Sequence, residues 1–167
     1  MSVYFWDTSA LAKYYHREHG SDHVERLLGD TANKHFVSEI TLLEMLSVTA
    51  SKVRNGELQE PDFDMHRKVF QQDVRDKLVL VLKLDSTIVE NAQTLVARHG
   101  MTTGVGLRTL DALQLATANS LRERGLRRFV GADITCRNCG ATSAARCLRL
   151  GRPRTRALGS TMRPPAV

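Results

Sequence analysis

Four carboxylates stand at or shortly after points where short apolar runs give way to helix-starting sequence: Asp7, Glu44, Asp111 and Asp133. Asp7 follows Val3-Tyr4-Phe5-Trp6 and precedes Thr8-Ser9-Ala10-Leu11, while Asp133 follows Phe129-Val130-Gly131-Ala132. Carboxylates at the carboxyl ends of strands lie in the crevice where open α/β sheets place their ligands. If such acids converge, their charges repel and raise at least one pKa unless a cation intervenes. A Mg²⁺ or Mn²⁺ ion suits that pocket, because hard cations take oxygen ligands. An ion of this kind can polarise a phosphodiester and stabilise the leaving oxygen.

Each acid has a second reading when taken alone. Asp7 could cap a helix. Thr41-x-x-Glu44 has the spacing of a capping box. Asp111 falls in the first turn after Thr109, where the helix macrodipole favours an acid. Asp133 follows a strand, as turn aspartates do. The residues themselves leave both readings open at all four positions.

The elements that would position these acids alternate between strand and helix. Ser2–Trp6 is rich in β-branched and aromatic residues and reads as a buried strand, with Thr8 or Ser9 capping the next helix. His35–Ser38 reads as a second strand, and Glu39–Arg54 as a helix ending before Gly56. Pro61 suits a helix start, and the charged stretch to about Lys77 fits a solvated helix. Leu78–Leu82 is apolar without a break and reads as a strand buried on both faces. Asp85 or Ser86 caps a helix to about His99, stopped by Gly100. Thr109 opens a helix over Leu110–Arg124, ended by Gly125, and Phe129–Ala132 reads as the last strand. This alternation predicts a parallel sheet covered by helices on both sides.

Composition divides the chain. Residues 134–167 hold seven of the 24 basic residues, all arginine, and none of the 18 acidic ones, leaving 17 basic against 18 acidic in residues 1–133. The net charge of +6 therefore belongs to the tail. Sparse apolar residues without a clear period read there as largely flexible sequence. Residues 1–133 form one expected domain and 134–167 an arginine-rich tail. The apolar runs are strand-sized and there is no signal-peptide pattern, so the expectation is a cytoplasmic protein without a membrane span. The three cysteines, Cys136, Cys139 and Cys147, lie in the tail and do not suggest a disulfide framework. They lack a histidine nearby to complete a zinc site.

The remaining features carry less chemistry. His16, His19, His23, His35, His66 and His99 show no metal-ligand spacing and read mostly as surface residues. Lys13, Arg17, Arg122, Arg124, Arg127 and Arg128 read either as phosphate contacts around the acids or as solvated helix ends. The Gly100–Gly106 stretch reads as a loop and has neither phosphate-binding glycine pattern.

The sequence around the acids is more specific. VYFWDTSAL at Asp7, SEITLLEML at Glu44, RTLDALQLATA at Asp111 and FVGAD ending at Asp133 resemble the PIN-domain nucleases, in particular the VapC-type toxins of bacterial toxin–antitoxin pairs. The resemblance covers about residues 1–133. It implies a three-layer α/β/α fold with a central parallel sheet of four or five strands. It further implies that Asp7, Glu44, Asp111 and Asp133 bind Mg²⁺ or Mn²⁺ and cut RNA, with the Ser9 hydroxyl as a supporting ligand or orienting group and Thr109 as a weaker candidate. A cognate antitoxin and a homodimer are implied as partners. After Asp133 the chain departs from the family pattern of a basic or polar turn, a short helix and a last strand.

Three functions follow in order. The first is a metal-dependent endoribonuclease acting as a toxin, with Asp7, Glu44 and Asp111 holding the metal and Asp133 completing the shell or holding a second ion. The second is a catalytically impaired PIN-like protein that binds an antitoxin or RNA, suggested by the altered segment after Asp133. The third, a phosphatase-like hydrolase with Asp7 as nucleophile, would want a second aspartate at the position Ser9 occupies.

Overall fold

The computed structural model describes residues 1–101 and 106–131, together with the backbone of Arg146–Arg149. Among these residues, five parallel strands alternate with six helices. In chain order these are β1 (Val3–Trp6), α1 (Thr8–Tyr15), α2 (Ser21–Leu28), β2 (Lys34–Ser38), α3 (Glu39–Arg54), α4 (Glu60–Arg75), β3 (Leu80–Leu82), α5 (Ser86–His99), α6 (Thr109–Asn119), β4 (Leu126–Gly131) and β5 (Arg146–Arg149). The strand order is β3-β2-β1-β4-β5, and every pairing is parallel.

Strand alternation sorts the central residues to two cores, since successive side chains point to opposite faces. Val3 and Phe5 face α5 and α6, joining Ile88, Ala92, Ala112, Leu115, Ala116 and Phe129. Tyr4 and Trp6 face the opposite side with Ala10, Leu11, Val24, Leu28, Val37, Met45 and Phe70. Helices α1 to α4 and helices α5 to α6 thus form the outer layers of an α/β/α sandwich. Phe5, Trp6, Leu11, Val24 and Val130 have no accessible surface, so β1 is the most deeply buried element. Fully burying one such side chain contributes about 1.5–3 kcal/mol, which anchors β1 and with it the position of Asp7. No helix among the described residues is long and apolar enough to cross a membrane.

Local sequence accounts for most element ends. The Asp85 carboxylate accepts from the Ile88 N–H at 2.8 Å, the expected cap of α5. Pro61 lies in the first turn of α4, and the Asp62 side chain accepts from the Gln59 N–H at 2.8 Å. Gly125 follows the α6 turn with a positive φ of 79°, a conformation that favours glycine.

Several expectations change. Helix α2 carries a short amphipathic pattern, with Val24 and Leu28 buried, that the periodicity of the chain did not single out. Helix α6 ends at Asn119, five residues before Arg124, and the chain turns through residues 120–125. The Leu78–Leu82 run yields only the three residues of β3, each half-buried. It occupies a sheet edge, where only β2 flanks it, so continuous apolarity does not bring full burial. Arg146–Arg149, within the segment assigned to the tail, pairs with Arg128, Phe129, Val130 and Gly131 as the other edge strand.

Candidate active site

The strand order reverses direction at β1, with β2 on one side and β4 on the other. Open parallel sheets place their ligand crevice at such a switch, beyond the carboxyl ends of the strands. Asp7 is the first residue past β1 at that edge. Its N–H donates to the Val130 carbonyl at 2.9 Å, and its carbonyl accepts from the Ala10 and Leu11 N–H groups at 3.1 and 3.0 Å. The Asp7 backbone therefore starts α1 as its N-cap residue. Its carboxylate accepts from the Ser9 hydroxyl.

The capping-box alternative for Glu44 fails. Helix α3 begins at Glu39 with Ser38 at its N-cap, so Thr41 lies inside the helix and no Thr41–Glu44 capping box exists. The Glu44 carboxylate is turned toward α1 and α6 instead. Its Oε2 accepts from the Thr8 hydroxyl and, at 2.7 Å, from the Gln114 side-chain amide. Asp111 sits in the first turn of α6, where the macrodipole also favours an acid.

Asp7 senses the charges of the other two described acids. Burial pushes the Asp7 carboxyl up to about 6, the Ser9 hydrogen bond works against that shift, and the negative charges of Glu44 and Asp111 add to it. This is the conflict expected of converging acids without a countercharge. The donor set, all carboxylate oxygens, has the chemistry a hard divalent cation takes. Among the described residues, no three of His, Cys, Asp and Glu are grouped closely enough to hold an ion as they stand. Asp133 lies outside the described residues. Its chain approaches nonetheless: Gly131 is the last residue of β4, and a Cβ on it would lie 4.0 Å from the Asp7 Cβ.

Beneath the acids lies a buried polar cluster that sequence reasoning missed. Thr8, Thr41 and Gln114 have relative exposures of 4%, 0% and 2%. The Gln114 amide nitrogen lies 3.2 Å from the Thr8 hydroxyl and 3.1 Å from the Thr41 hydroxyl, besides its contact with Glu44. The signal was present: Gln114 follows Asp111 by three residues on α6, and Thr41 precedes Glu44 by three on α3. Residues three apart share a helix face.

Other expected contacts separate from the site. Arg127 and Arg128 lie at the start of β4, and Leu126 pairs with Val3 at the opposite end of the sheet from Asp7. Arg122 and Arg124 lie in the turn leading there. These four arginines therefore do not ring the acids, because a parallel strand's two ends open on opposite edges. Lys13 pairs with Glu18 at 3.2 Å, and Arg17 with Asp22 at 2.6 Å. His35 corrects the surface reading of the histidines: it is 4% exposed and its Nδ1 accepts from the Trp6 indole N–H at 3.1 Å. Cys136, Cys139 and residues 102–105 of the glycine-flanked loop lie outside the described residues.

Comparison with known proteins matches this architecture. The VapBC2 structure from Rickettsia felis, bound to a promoter DNA fragment, shares 12% identity over 87% of this chain and 98% of its own, with a TM-score of 0.59. The VapC20 toxin of Mycobacterium tuberculosis, which cleaves the sarcin–ricin loop, shares 19% identity over 75% of this chain and 86% of its own, at 0.54. DNA-bound VapBC from Salmonella typhimurium shares 17% over 90% and 99%, at 0.55. At these identities the likeness is one of fold. No curated protein matches the chain at a significant level. The PIN domain family model, however, matches residues 4–129, well over half of the chain, and the protein therefore belongs to the PIN-domain family.

Proposed function

We propose that this protein is a metal-dependent endoribonuclease and the toxin of a toxin–antitoxin pair. The observation that carries the reading is the placement of Asp7 just past β1 at the crevice edge, where the charges of Glu44 and Asp111 act on its carboxyl. Membership of the PIN-domain family and the likeness of fold to VapC toxins support it.

Asp7, Glu44 and Asp111 would hold Mg²⁺ or Mn²⁺, with Asp133 as the fourth acid. The ion would supply charge neutralisation and polarisation of the scissile phosphodiester. The chain's own groups do the rest. One of these carboxylates would take a proton from the attacking water. Ser9 fixes the Asp7 carboxylate through its hydroxyl. Thr8 and Gln114 fix that of Glu44. Catalytic groups held by packed neighbours need little reorganisation at the moment of reaction. The partners in this scheme are a structured or single-stranded RNA, an antitoxin whose peptide covers the acidic edge, and a second copy of the chain.

The test is cleavage of RNA by purified protein with Mn²⁺ and with EDTA, alongside folded Asp7→Asn. Cleavage by the wild type alone, abolished by EDTA, is the expected result. Equal activity in Asp7→Asn would sink the mechanism. Absence of cleavage by protein that still binds its antitoxin would favour the binding-module reading.

A further inference from the structure

The Gln114 side chain is an odd resident for the interior. Its amide oxygen is buried with no hydrogen-bond partner among the described residues, while the two N–H groups of its nitrogen are shared among three acceptors. A buried carbonyl left unpaired costs free energy, and a leucine of similar volume would avoid it. The orientation is fixed by chemistry: turning the amide would set its oxygen against the Glu44 carboxylate and strand both N–H groups. A residue that breaks the local rule for burial calls for a compensating role.

That role is visible in what the nitrogen touches. Asp7, Glu44 and Asp111 arrive on three different elements, and each element also delivers one neutral polar side chain to the same cluster: Thr8 beside Asp7, Thr41 one turn before Glu44, Gln114 one turn after Asp111. Thr8 and Gln114 both donate to the same oxygen of Glu44, Oε2. Gln114 also reaches both threonines, so it ties α1, α3 and α6 together.

We infer that Gln114 is a positioning residue that, with Thr8, clamps Glu44 through Oε2 and reserves Oε1 for a divalent cation. The clamp holds Glu44 beside Asp7 against their mutual repulsion before any ion arrives. This rests on the metal-dependent reading above, but the clamp itself is a property of the metal-free protein. Outer hydrogen-bond partners of metal-binding side chains typically change affinity 10- to 100-fold when removed, and Gln114 belongs in that range.

Two measurements test it. In metal-free protein, urea unfolding of Gln114→Leu, Glu44→Met and the double variant forms a cycle. Strong non-additivity is expected, and additive shifts would overturn the clamp. Mn²⁺ titration calorimetry then compares wild type, Gln114→Leu and Thr117→Val, a buried change on the same helix that does not touch Glu44. Affinity should fall 10- to 100-fold in Gln114→Leu and stay at the wild-type value in Thr117→Val. Wild-type affinity in folded Gln114→Leu would overturn the inference. If wild type takes up no Mn²⁺ while the cycle is non-additive, the metal reading fails and the clamp stands. Should Gln114→Leu not fold, Gln114→Met enters both measurements in its place.

Discussion

The Gln114 amide nitrogen lies 2.7 Å from Glu44 Oε2, although the two residues are 70 positions apart. One is on α6 and the other on α3, and the contact runs beneath the crevice edge where Asp7 begins α1. Fixing the Glu44 carboxylate therefore requires three helices to be docked together. The acids are positioned by tertiary packing and not by any local motif.

Thr8 is the second donor in that arrangement, so its loss should be felt at Glu44. Thr8→Val keeps the shape and removes the hydroxyl. Leaving a buried acceptor short of a donor costs about 1–3 kcal/mol, and the unfolding free energy should fall by that order. RNA cleavage should fall about tenfold or more, since outer-shell groups act on that scale. Unchanged stability together with unchanged cleavage would show that Thr8 does not support Glu44.

Asp7 should be destabilising in the metal-free protein at neutral pH. Its carboxyl is raised from 3.8 to about 6, chiefly by burial. The folded state then binds more protons than the unfolded state between those values, so stability falls as pH rises from about 4 to 6. Each tenfold difference in proton affinity between the two states is worth about 1.4 kcal/mol, which makes the loss about 2–3 kcal/mol. Asp7→Asn removes it and should be more stable than wild type at pH 7, with a flatter profile between pH 4 and 6. Thermal melts in EDTA across that range decide the matter. A less stable Asp7→Asn at pH 7 would contradict the proposed origin of the raised pKa.

Much of this was legible in the chain. The β1 run ending at Asp7, the Asp85 cap and the Pro61 helix start are local signals, and local energetics decide them. The motifs around Asp7, Glu44 and Asp111 pointed to the family that the domain match shows. What failed was what depends on neighbours. Leu80–Leu82 is half-buried because it falls at an edge, which its composition does not reveal. Glu44 could not be told from a capping-box acid because Thr41 has the right spacing, and only the start of α3 at Glu39 excludes that reading. Gln114 and His35 are polar residues inside the protein, and nothing in their immediate sequence names the partners that make burial tolerable. Arg127 and Arg128 follow α6 closely in sequence but lie at the far edge from the acids, a matter of strand direction.

Ser9 offers a directional test of the site. Its hydroxyl donates to the Asp7 carboxylate and favours the charged form, opposing the effect of burial. Ser9→Ala removes that bond, so the Asp7 pKa should rise above about 6. In EDTA, the loss of stability with rising pH that Asp7 causes should then extend to higher pH than in wild type. A uniform loss of stability across the pH range would assign Ser9 a role other than tuning Asp7.

His35 predicts a pH effect of the opposite sign, read by the single tryptophan of the chain. The ring is buried, stacks on Tyr4 with centroids 5.6 Å apart, and accepts from the Trp6 indole through Nδ1. Burial lowers its pKa below 6.5, with the Asp30 backbone and charge partly opposing. The unfolded chain then takes up a proton below about pH 6.5 that the folded chain resists, so His35 costs stability as pH falls through that value. Protonation also requires Nδ1 to stop accepting from Trp6. Because Asp7 slopes the other way, the measurement belongs in the Asp7→Asn background. There, stability should fall as pH drops below 6.5, and Trp6 emission should change over the same interval. His35→Phe preserves an aromatic stack and has no titrating group. It should be less stable overall, because the buried indole N–H loses its acceptor, yet its stability should be flatter from pH 6.5 to 5. An equal slope in both proteins would place the titration elsewhere.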